Sequence, residues 1–366
     1  MWAAVNETDS APMDSSNFVN ARKGINMKEG LILRIIRVGT RKSLLALVQT
    51  QLVVDKIREA FPDLHIEIVT MSTKGDERLD RALASFGGKG VFTKELEEGL
   101  RIGAIDIAVH SAKDMPMELP DGLVIGAVPG RADVHDMLVV RKDDARFNWD
   151  GGLAAMDRIA SGSGKGMGIS DGCADRDFIS SLPEGFVVGT GSLRRELQLK
   201  VQNPTLCVRS IRGNVQTRLE KLAQGQYDGI ILAKAGITRL MQCRLPEDTF
   251  AYGRFRYMEL DTELMLPAAG QGILAVESRA GDLTEVLSAI TDENARLMLE
   301  AERAFLEAIG GSCNAPAAAL SRVDGAKVRM TAVFAPDGEH LQRAAGSAAL
   351  AEARALGVSL AEQLNK

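Results

Sequence analysis

Residues 186–218 read FVVGTGSLRRELQLKVQNPTLCVRSIRGNVQTR, and this stretch decides the fold that the sequence predicts. A short apolar run is followed by a Gly-Thr-Gly-Ser loop, a segment of helical character, a second apolar run and a second helical segment. We therefore predict strand, helix, strand and helix over 186–188, 192–201, 205–211 and 214–223. This alternation is typical of a parallel or mixed sheet with helices on both faces.

The same alternation occurs on either side of this stretch. Upstream, strands are predicted over 31–38, 64–71 and 106–109, and helices after Ser43 and over 93–102. In the first helix, Ser43 is a candidate N-cap, and Leu45, Val48 and Leu52 are expected to form the buried face. Downstream, a strand over 228–232 and a helix over 235–241 complete the second unit.

The C-terminal part of the chain has a different pattern. A long amphipathic helix over 292–309 ends at Gly310-Gly311, and alternating strands over 317–322, 327–334 and 341–347 precede a helix over 348–364. The sequence therefore predicts two α/β domains and a small α+β domain. The predicted bounds are 31–130 with 273–290 for the first domain, 131–272 for the second and 291–366 for the third.

Composition limits the class of protein. The 366 residues are 45% hydrophobic and 25% charged with a net charge of −5, which is ordinary for a globular protein. The four cysteines form no CxxC pair and the four histidines have no metal-ligand spacing, so we expect reduced cysteines, a cytoplasmic location and no metal. No run is long enough for a membrane span. Residues 1–30 are predicted to be a disordered extension that carries no targeting signal.

Residues 143–181 contain SGSGKGMGISDG and few residues that form a core, so we predict a flexible surface insertion within the second domain. Its Gly-Lys-Gly is not a phosphate-binding loop. No Ser or Thr follows Lys165, and residue 159 is not the glycine that the motif requires.

Positive charge is concentrated in residues 189–218. Five arginines and one lysine stand there against a single acid, Glu196, although the whole chain is acidic. Arginine presents a planar set of donors that fits carboxylates and phosphates. Since Arg41 occupies the matching position in the first unit, arginines follow strands in both α/β units. We therefore expect them to line a cleft that binds a polyanion.

Two further segments carry candidate chemistry. The run VHSAKDMP places Ser111, Lys113 and Asp114 just past the end of a strand, where ligands bind in open α/β sheets, although taken alone it favours an ordinary turn before Pro116. Cys313 lies in GGSCNAP. Taken alone it is either a small buried residue or an exposed nucleophile.

Ten segments in order resemble the porphobilinogen deaminase (hydroxymethylbilane synthase) family, over roughly residues 33–366. They are TRKSLLALVQTQ, STKGDERLD, GGKGVFTKELE, DIAVHSAKDMP, GTGSLRR, RSIRGNVQTRL, DGIILAKAGITRL, LPAAGQG, AERAFL and GGSCNAP. The resemblance implies two periplasmic-binding-protein-like α/β domains around a cleft, and a third domain with the cofactor cysteine. It also implies a cytoplasmic monomer.

The resemblance implies a reaction as well. A dipyrromethane cofactor is held by a thioether to Cys313. Four porphobilinogen molecules are added to this primer with loss of ammonia, and hydrolysis releases the linear tetrapyrrole, a precursor in haem and tetrapyrrole biosynthesis. Asp114 matches the catalytic aspartate, which would stabilise the cationic azafulvene formed on loss of ammonia. The residues implied to bind the cofactor are Ser111, Lys113, Thr190, Ser192, Arg194 and Arg195. Those implied to bind substrate or the growing chain are Arg41, Ser43, Gln49, Lys89, Arg212, Arg218 and Arg239.

Three features depart from the family pattern: Ser85 replaces a lysine near the glycine loop, GGSC replaces GGC, and the insertion 143–181 has no counterpart. Two other readings remain to be compared. A solute-binding protein would use a similar cleft but leaves Cys313 and the third domain without a role. A nucleic-acid binder is disfavoured by the net charge of −5 and by an aromatic content of 4%.

Overall fold

The computed structural model describes residues 35–72, 93–146, 176–242, 252–311 and 315–365. The strands are β1 Ile36–Arg41, β2 Ile66–Met71, β3 Ile107–Ser111, β4 Leu123–Ala127, β5 Asp136–Arg141, β6 Val187–Gly189, β7 Cys207–Arg209, β8 Gly229–Ala233, β9 Phe255–Leu260, β10 Leu274–Arg279, β11 Ala317–Asp324, β12 Lys327–Phe334 and β13 Gln342–Ala349. The helices are α1 Leu44–Ala60, α2 Lys94–Arg101, α3 Arg176–Ser181, α4 Leu193–Gln202, α5 Val215–Ala223, α6 Lys234–Gln242, α7 Thr284–Ala289, α8 Glu293–Ala308 and α9 Ala353–Leu364.

Two five-stranded mixed sheets share one plan. The first has the order β2-β1-β3-β10-β4 and the second β7-β6-β8-β5-β9. In each sheet three strands that are joined by helices run parallel, and the fourth strand is antiparallel to both of its neighbours. A third, antiparallel sheet has the order β11-β12-β13. The predicted class, two α/β domains with a small α+β domain, is confirmed; the exact domain bounds stay predictions.

The sheets exchange their antiparallel strands. β5 follows β4 in the chain but belongs to the second sheet, and β10 follows β9 but belongs to the first. The sequence reading predicted no strand over Asp136–Arg141, because a buried antiparallel strand there does not alternate with helices. The chain therefore crosses twice between the two sheets.

The two crossovers, residues 128–135 and 261–273, lie side by side. Arg131 and Ile273 form an antiparallel bridge, and the Ala132 N–H donates to the Gly272 carbonyl at 3.0 Å. Gly272 has φ +86°, and a Cβ at this position would lie 2.4 Å from the Ala132 oxygen. Only glycine allows this close approach.

Helix α1 packs on the first sheet through a different face from the one predicted. Ser43 caps it as expected, since its Oγ accepts from the Ala46 N–H at 3.4 Å. The buried residues of the helix are Ala46, Gln49, Thr50, Val53, Val54 and Ile57. The expected face was wrong: Leu52 is 37% exposed. Apolar residues occupy several stripes of this helix, so periodicity alone does not show which stripe meets the sheet.

The predicted insertion is also partly wrong. Its last residues form α3, where Ile179 is only 1% exposed and packs with Leu182 and Phe186. The buried Asn203 side chain donates to the carbonyls of Ile179 at 3.0 Å and Leu182 at 3.1 Å. This end of the segment therefore belongs to the second core, while residues 147–175, and residues 1–34, lie outside the described residues. In the part of the chain that is described, no helix has the length and apolarity needed to cross a membrane.

Candidate active site

Asp114 is placed by a turn that follows the central strand of the first sheet. β3 ends at Ser111, and residues Ala112–Asp114 form one turn of 3₁₀ helix. Ala112 and Met115 are buried and fix the turn, whereas the Asp114 side chain is exposed. The Ser111 hydroxyl accepts from Gln49 Nε2 at 3.0 Å, so two of the predicted site residues meet directly.

The Gly-Thr-Gly-Ser loop places two arginines at the start of α4. Thr190 Oγ1 accepts from the Ser192 N–H at 3.2 Å, which shapes the loop, and Ser192 occupies the N-cap position. Arg194 and Arg195 are 3% and 6% exposed. Both donate to one carboxylate: Arg194 Nη2 lies 2.8 Å and Arg195 Nη2 2.7 Å from the oxygens of Asp136. Neighbouring positions on a helix point in different directions, but these long side chains converge on one carboxylate.

Asp136 and Gln271 join this pair to Lys113 on the other sheet. Gln271 Nε2 donates to Asp136 Oδ1 at 2.9 Å, and Lys113 Nζ donates to Gln271 Oε1 at 3.3 Å. Burial acts to raise the pKa of Asp136, but Arg194 and Arg195 outweigh it and hold that pKa well below its usual range. Burial lowers the pKa of Lys113 to about 8, with Asp114 opposing the shift.

Arg218 places a positive charge of the second domain within electrostatic range of Asp114. Its Nε donates to the Gly213 carbonyl at 2.8 Å. Burial lowers the pKa of Arg218 to about 10; the charges of Arg195 and Arg212 lower it further, whereas Asp114 raises it. The charge of Arg218 on the second domain therefore interacts with that of Asp114 on the first.

The other predicted residues that the structure describes lie around the same space or at the crossovers. Arg41 ends β1, and Ser43 lines a small cavity with Asn214 and Leu240, where the first domain meets the second. Arg239 points to the crossover, since its Nη2 donates to the Gly272 carbonyl at 2.7 Å, and burial lowers its pKa to about 10. Arg209, from the basic stretch, is exposed at the end of β7.

Sequence reasoning missed Asp136 and Gln271. Asp136 looks like an ordinary polar residue before the apolar run Met137–Val140, and its two arginines lie 58 and 59 positions away. Gln271 lies within the quoted LPAAGQG segment, which was the only signal for it. Three expected or discussed residues, Cys313, Lys89 and Ser85, lie outside the described residues.

Another ionic group lies beside the crossover. Within the described ranges, Asp133, His135 and Glu259 are the group whose ligand atoms would be close enough to share a metal ion. Lys234 donates to Asp133 at 2.7 Å and also to Glu259, so an ammonium already offsets part of their negative charge. We assign no metal to this group.

The cleft's charges suit a ligand with several carboxylates. Cations exceed acids around the site. Two acids, Asp114 and Asp136, lie within electrostatic range of a group of five cations: Lys113, Arg194, Arg195, Arg218 and, through Arg218, Arg212. Comparison with known proteins agrees. Residues 36–286 match the family model described as "Porphobilinogen deaminase, dipyromethane cofactor binding domain", and residues 297–366 match the model of that enzyme's C-terminal domain.

The chain belongs to the porphobilinogen deaminase family.

Curated members of the family align over nearly the whole chain. Porphobilinogen deaminase of Nostoc sp. is 40% identical over 336 residues, which cover 91% of this chain and 92% of the relative. The Bacillus subtilis enzyme is 39% identical over 312 residues, covering 84% and 86%. The chain is therefore a transferase that deaminates porphobilinogen and forms hydroxymethylbilane in tetrapyrrole biosynthesis, with a dipyrromethane cofactor. These predictions are confirmed.

Solved structures that resemble the chain are more distant. The BenM effector-binding domain with benzoate is 15% identical with a TM-score of 0.36, and covers 70% of this chain and 88% of its own. The OxyR regulatory domain from Pseudomonas aeruginosa is 12% identical with a TM-score of 0.34, and covers 71% and 98%. These TM-scores are too low to support a conclusion about fold or function, so the fold is described by its strand order.

Proposed function

We propose that Asp114 is the catalytic carboxylate of this porphobilinogen deaminase and that the cations around it bind the carboxylates of substrate and primer. The observation that carries the proposal is the position of Asp114. It is an exposed carboxylate beside Lys113 on the first sheet, within electrostatic range of Arg218 on the second. The family resemblance supplies the individual roles.

The residues proposed to hold the dipyrromethane fit its charge. Arg194, Arg195 and Lys113 are three cations that share one buried acid, Asp136, so the group retains positive charge for carboxylate ligands. Ser111, Thr190 and Ser192 add hydroxyls at the adjoining strand and loop ends. When bound through Cys313, the cofactor supplies the pyrrole ring to which the first substrate is joined.

Substrate and growing chain are proposed to contact residues from both domains. Arg218 is supported by its electrostatic interaction with Asp114, and Arg212 by its electrostatic interaction with Arg218. Gln49 is supported by its bond to Ser111. Arg41, Ser43 and Lys89 are proposed on the resemblance. So is Arg239, whose guanidinium contacts the crossover through the Gly272 carbonyl. Cations on two facing domains hold the reacting carbons in line.

Asp114 is proposed to act on the substrate's leaving group. Loss of ammonia from porphobilinogen leaves positive charge that the pyrrole nitrogen shares, and a fixed carboxylate stabilises that charge. In its protonated form, Asp114 delivers a proton to the departing amine. The surrounding arginines hold the substrate's acetate and propionate, so Asp114 is the group left to face the reacting carbon.

Intact mass and turnover test this proposal. Purified protein should exceed its sequence mass by one dipyrromethane, and Cys313→Ser should remove the excess. Asp114→Asn should fold and carry the primer but form tetrapyrrole about 100-fold to 1000-fold more slowly, as expected when a charge-stabilising group is lost. Asp121→Asn, at an exposed acid of the same domain, is the matched control. Near-normal turnover by Asp114→Asn would remove that residue from the mechanism.

We further propose that the enzyme acts as a cytoplasmic monomer. The proposal rests on the family resemblance and on the reduced state expected of its cysteines. Light scattering at working concentrations should give the mass of one chain, 39.3 kDa. A stable dimer mass would contradict it.

A further inference from the structure

Asp136 occupies a central position among the cations of the site. It is the first residue of β5, directly after the first crossover, and is 0% exposed. Its carboxylate accepts from Arg194 at 2.8 Å, from Arg195 at 2.7 and 3.2 Å, and from Gln271 at 2.9 Å. No substrate group needs to touch this carboxylate for it to affect the site.

Gln271 extends the influence of Asp136 to the other domain. Its side chain, 0% exposed, donates to Asp136 and to the Val134 carbonyl at 2.7 Å and accepts from Lys113 Nζ at 3.3 Å. Its own carbonyl accepts from Arg131 Nε at 3.0 Å. A continuous set of hydrogen bonds thus runs from the first sheet, through both crossovers, to the start of α4.

We infer that Asp136 is a positioning residue of the reaction: it fixes the guanidiniums of Arg194 and Arg195 and, through Gln271, the ammonium of Lys113, and so sets where the primer's carboxylates bind. The inference rests on the proposed roles of those three cations. It adds Asp136 to the residues that act in the proposed reaction.

Electrostatics explain why an acid is needed at this point. Three cations brought into one buried region repel one another, and long arginine side chains lose much conformational entropy when they are ordered. One shared carboxylate offsets the repulsion and fixes both guanidinium forks, while leaving positive charge for the ligand. Arg194 and Arg195 hold the pKa of Asp136 well below its usual range, which favours the ionised carboxylate.

A purely structural salt bridge makes a different prediction. If Asp136 only attaches α4 to β5, its loss lowers stability but leaves the folded enzyme with normal kinetics. If it positions the cations, the folded variant is slow. The step most affected is then the one that depends on primer geometry. The change in kcat is therefore larger than the change in KM for porphobilinogen.

The decisive variant is Asp136→Asn, with Asp228→Asn as its control. Asp228 is also an acid of the second domain paired with an arginine, Arg146 at 2.6 Å. The other bond that its carboxylate makes within the described residues is to the Val187 N–H at 2.7 Å, outside the site. We expect Asp136→Asn to carry less primer by intact mass and to show kcat reduced about 100-fold, the loss typical of misplacing reacting groups by an ångström. In the double variant Asp136→Asn/Arg194→Lys, the fold reduction in kcat should be much smaller than the product of the two single reductions, since both substitutions act through one interaction.

The results of these variants either support or overturn the inference about Asp136. Folded Asp136→Asn with full primer and the kcat of the control overturns the inference, as do fully multiplicative effects in the double variant. Should Asp136→Asn fail to fold, Gln271→Met removes the amide that joins Lys113 to Asp136 without changing charge. Reduced kcat in that folded variant supports the inference, and unchanged kcat overturns it. Wild-type protein without primer mass or turnover would refute the proposed function instead.

Discussion

Glu302→Gln should weaken the attachment of the third domain to the crossovers and lower the stability of the whole chain. Arg131, on the first crossover, pairs with Glu302 of α8 through two bonds of 2.6 and 3.1 Å, and the side chains are 7% and 0% exposed. The same carboxylate accepts from the Gly270 N–H and from the N–H and hydroxyl of Ser321, each at 2.7 Å. One charge therefore joins both crossovers to the third sheet.

The expected loss is large because the change leaves a buried cation without its partner. Breaking a buried ion pair from one side costs about 3–5 kcal/mol. With an unfolding entropy of about 2.1 cal/mol/K per residue, and the whole chain unfolding together, that corresponds to a fall in Tm of roughly 4–7 °C. Glu263→Gln is the control: it breaks an exposed pair with Arg343 on β13, worth at most about 1 kcal/mol.

Thermal unfolding followed by circular dichroism measures the difference. The double variant Arg131→Met/Glu302→Gln should recover part of the loss, because it removes the unpaired charge. If Glu302→Gln melts within the range of Glu263→Gln, the carboxylate does not hold the domains together. The reasoning would also be contradicted if the double variant lost more stability than the sum of the losses in the two single variants.

Three further predictions concern the crossover, the second core and Lys113. Gly272→Ala should cost about 1–3 kcal/mol in urea unfolding, since φ is +86° and the new Cβ would lie 2.4 Å from the Ala132 oxygen; a neutral effect would contradict the close approach. Ile179→Ala should cost about 2–5 kcal/mol, the range for emptying a core site, whereas an exposed insertion would give almost none. The third prediction uses Cys313→Ser, in which the primer is absent and porphobilinogen carboxylates can reach Lys113. Calorimetry should show that porphobilinogen binding weakens as pH rises through about 8, the lowered pKa of Lys113, because the cation is lost. Lys113→Met in the same background should abolish that dependence, and a pH dependence that persists there belongs to another group.

Local sequence determined much of the architecture. Strand and helix alternation around residues 186–218 predicted the parallel strands of both α/β domains, and Ser43 was correctly identified as a helix cap. The turn with Asp114 and the loop with Arg194 were found because such residues follow strands directly. Periodicity failed where burial is not periodic. No strand was predicted over β5, and the wrong face of α1 was expected to be buried because several of its stripes are apolar.

The sequence by itself determined which groups are available: a concentration of arginine in an acidic chain, an aspartate after a strand, and the ordered motifs of a family. Only the tertiary structure decided how the charges are shared. Asp136 meets Arg194 and Arg195 from 58 and 59 positions away, and Gln271 reaches Lys113 across 158. Electrostatic energy depends on distance and burial in space, and strand exchange brings distant residues together in a way that spacing along the chain does not record.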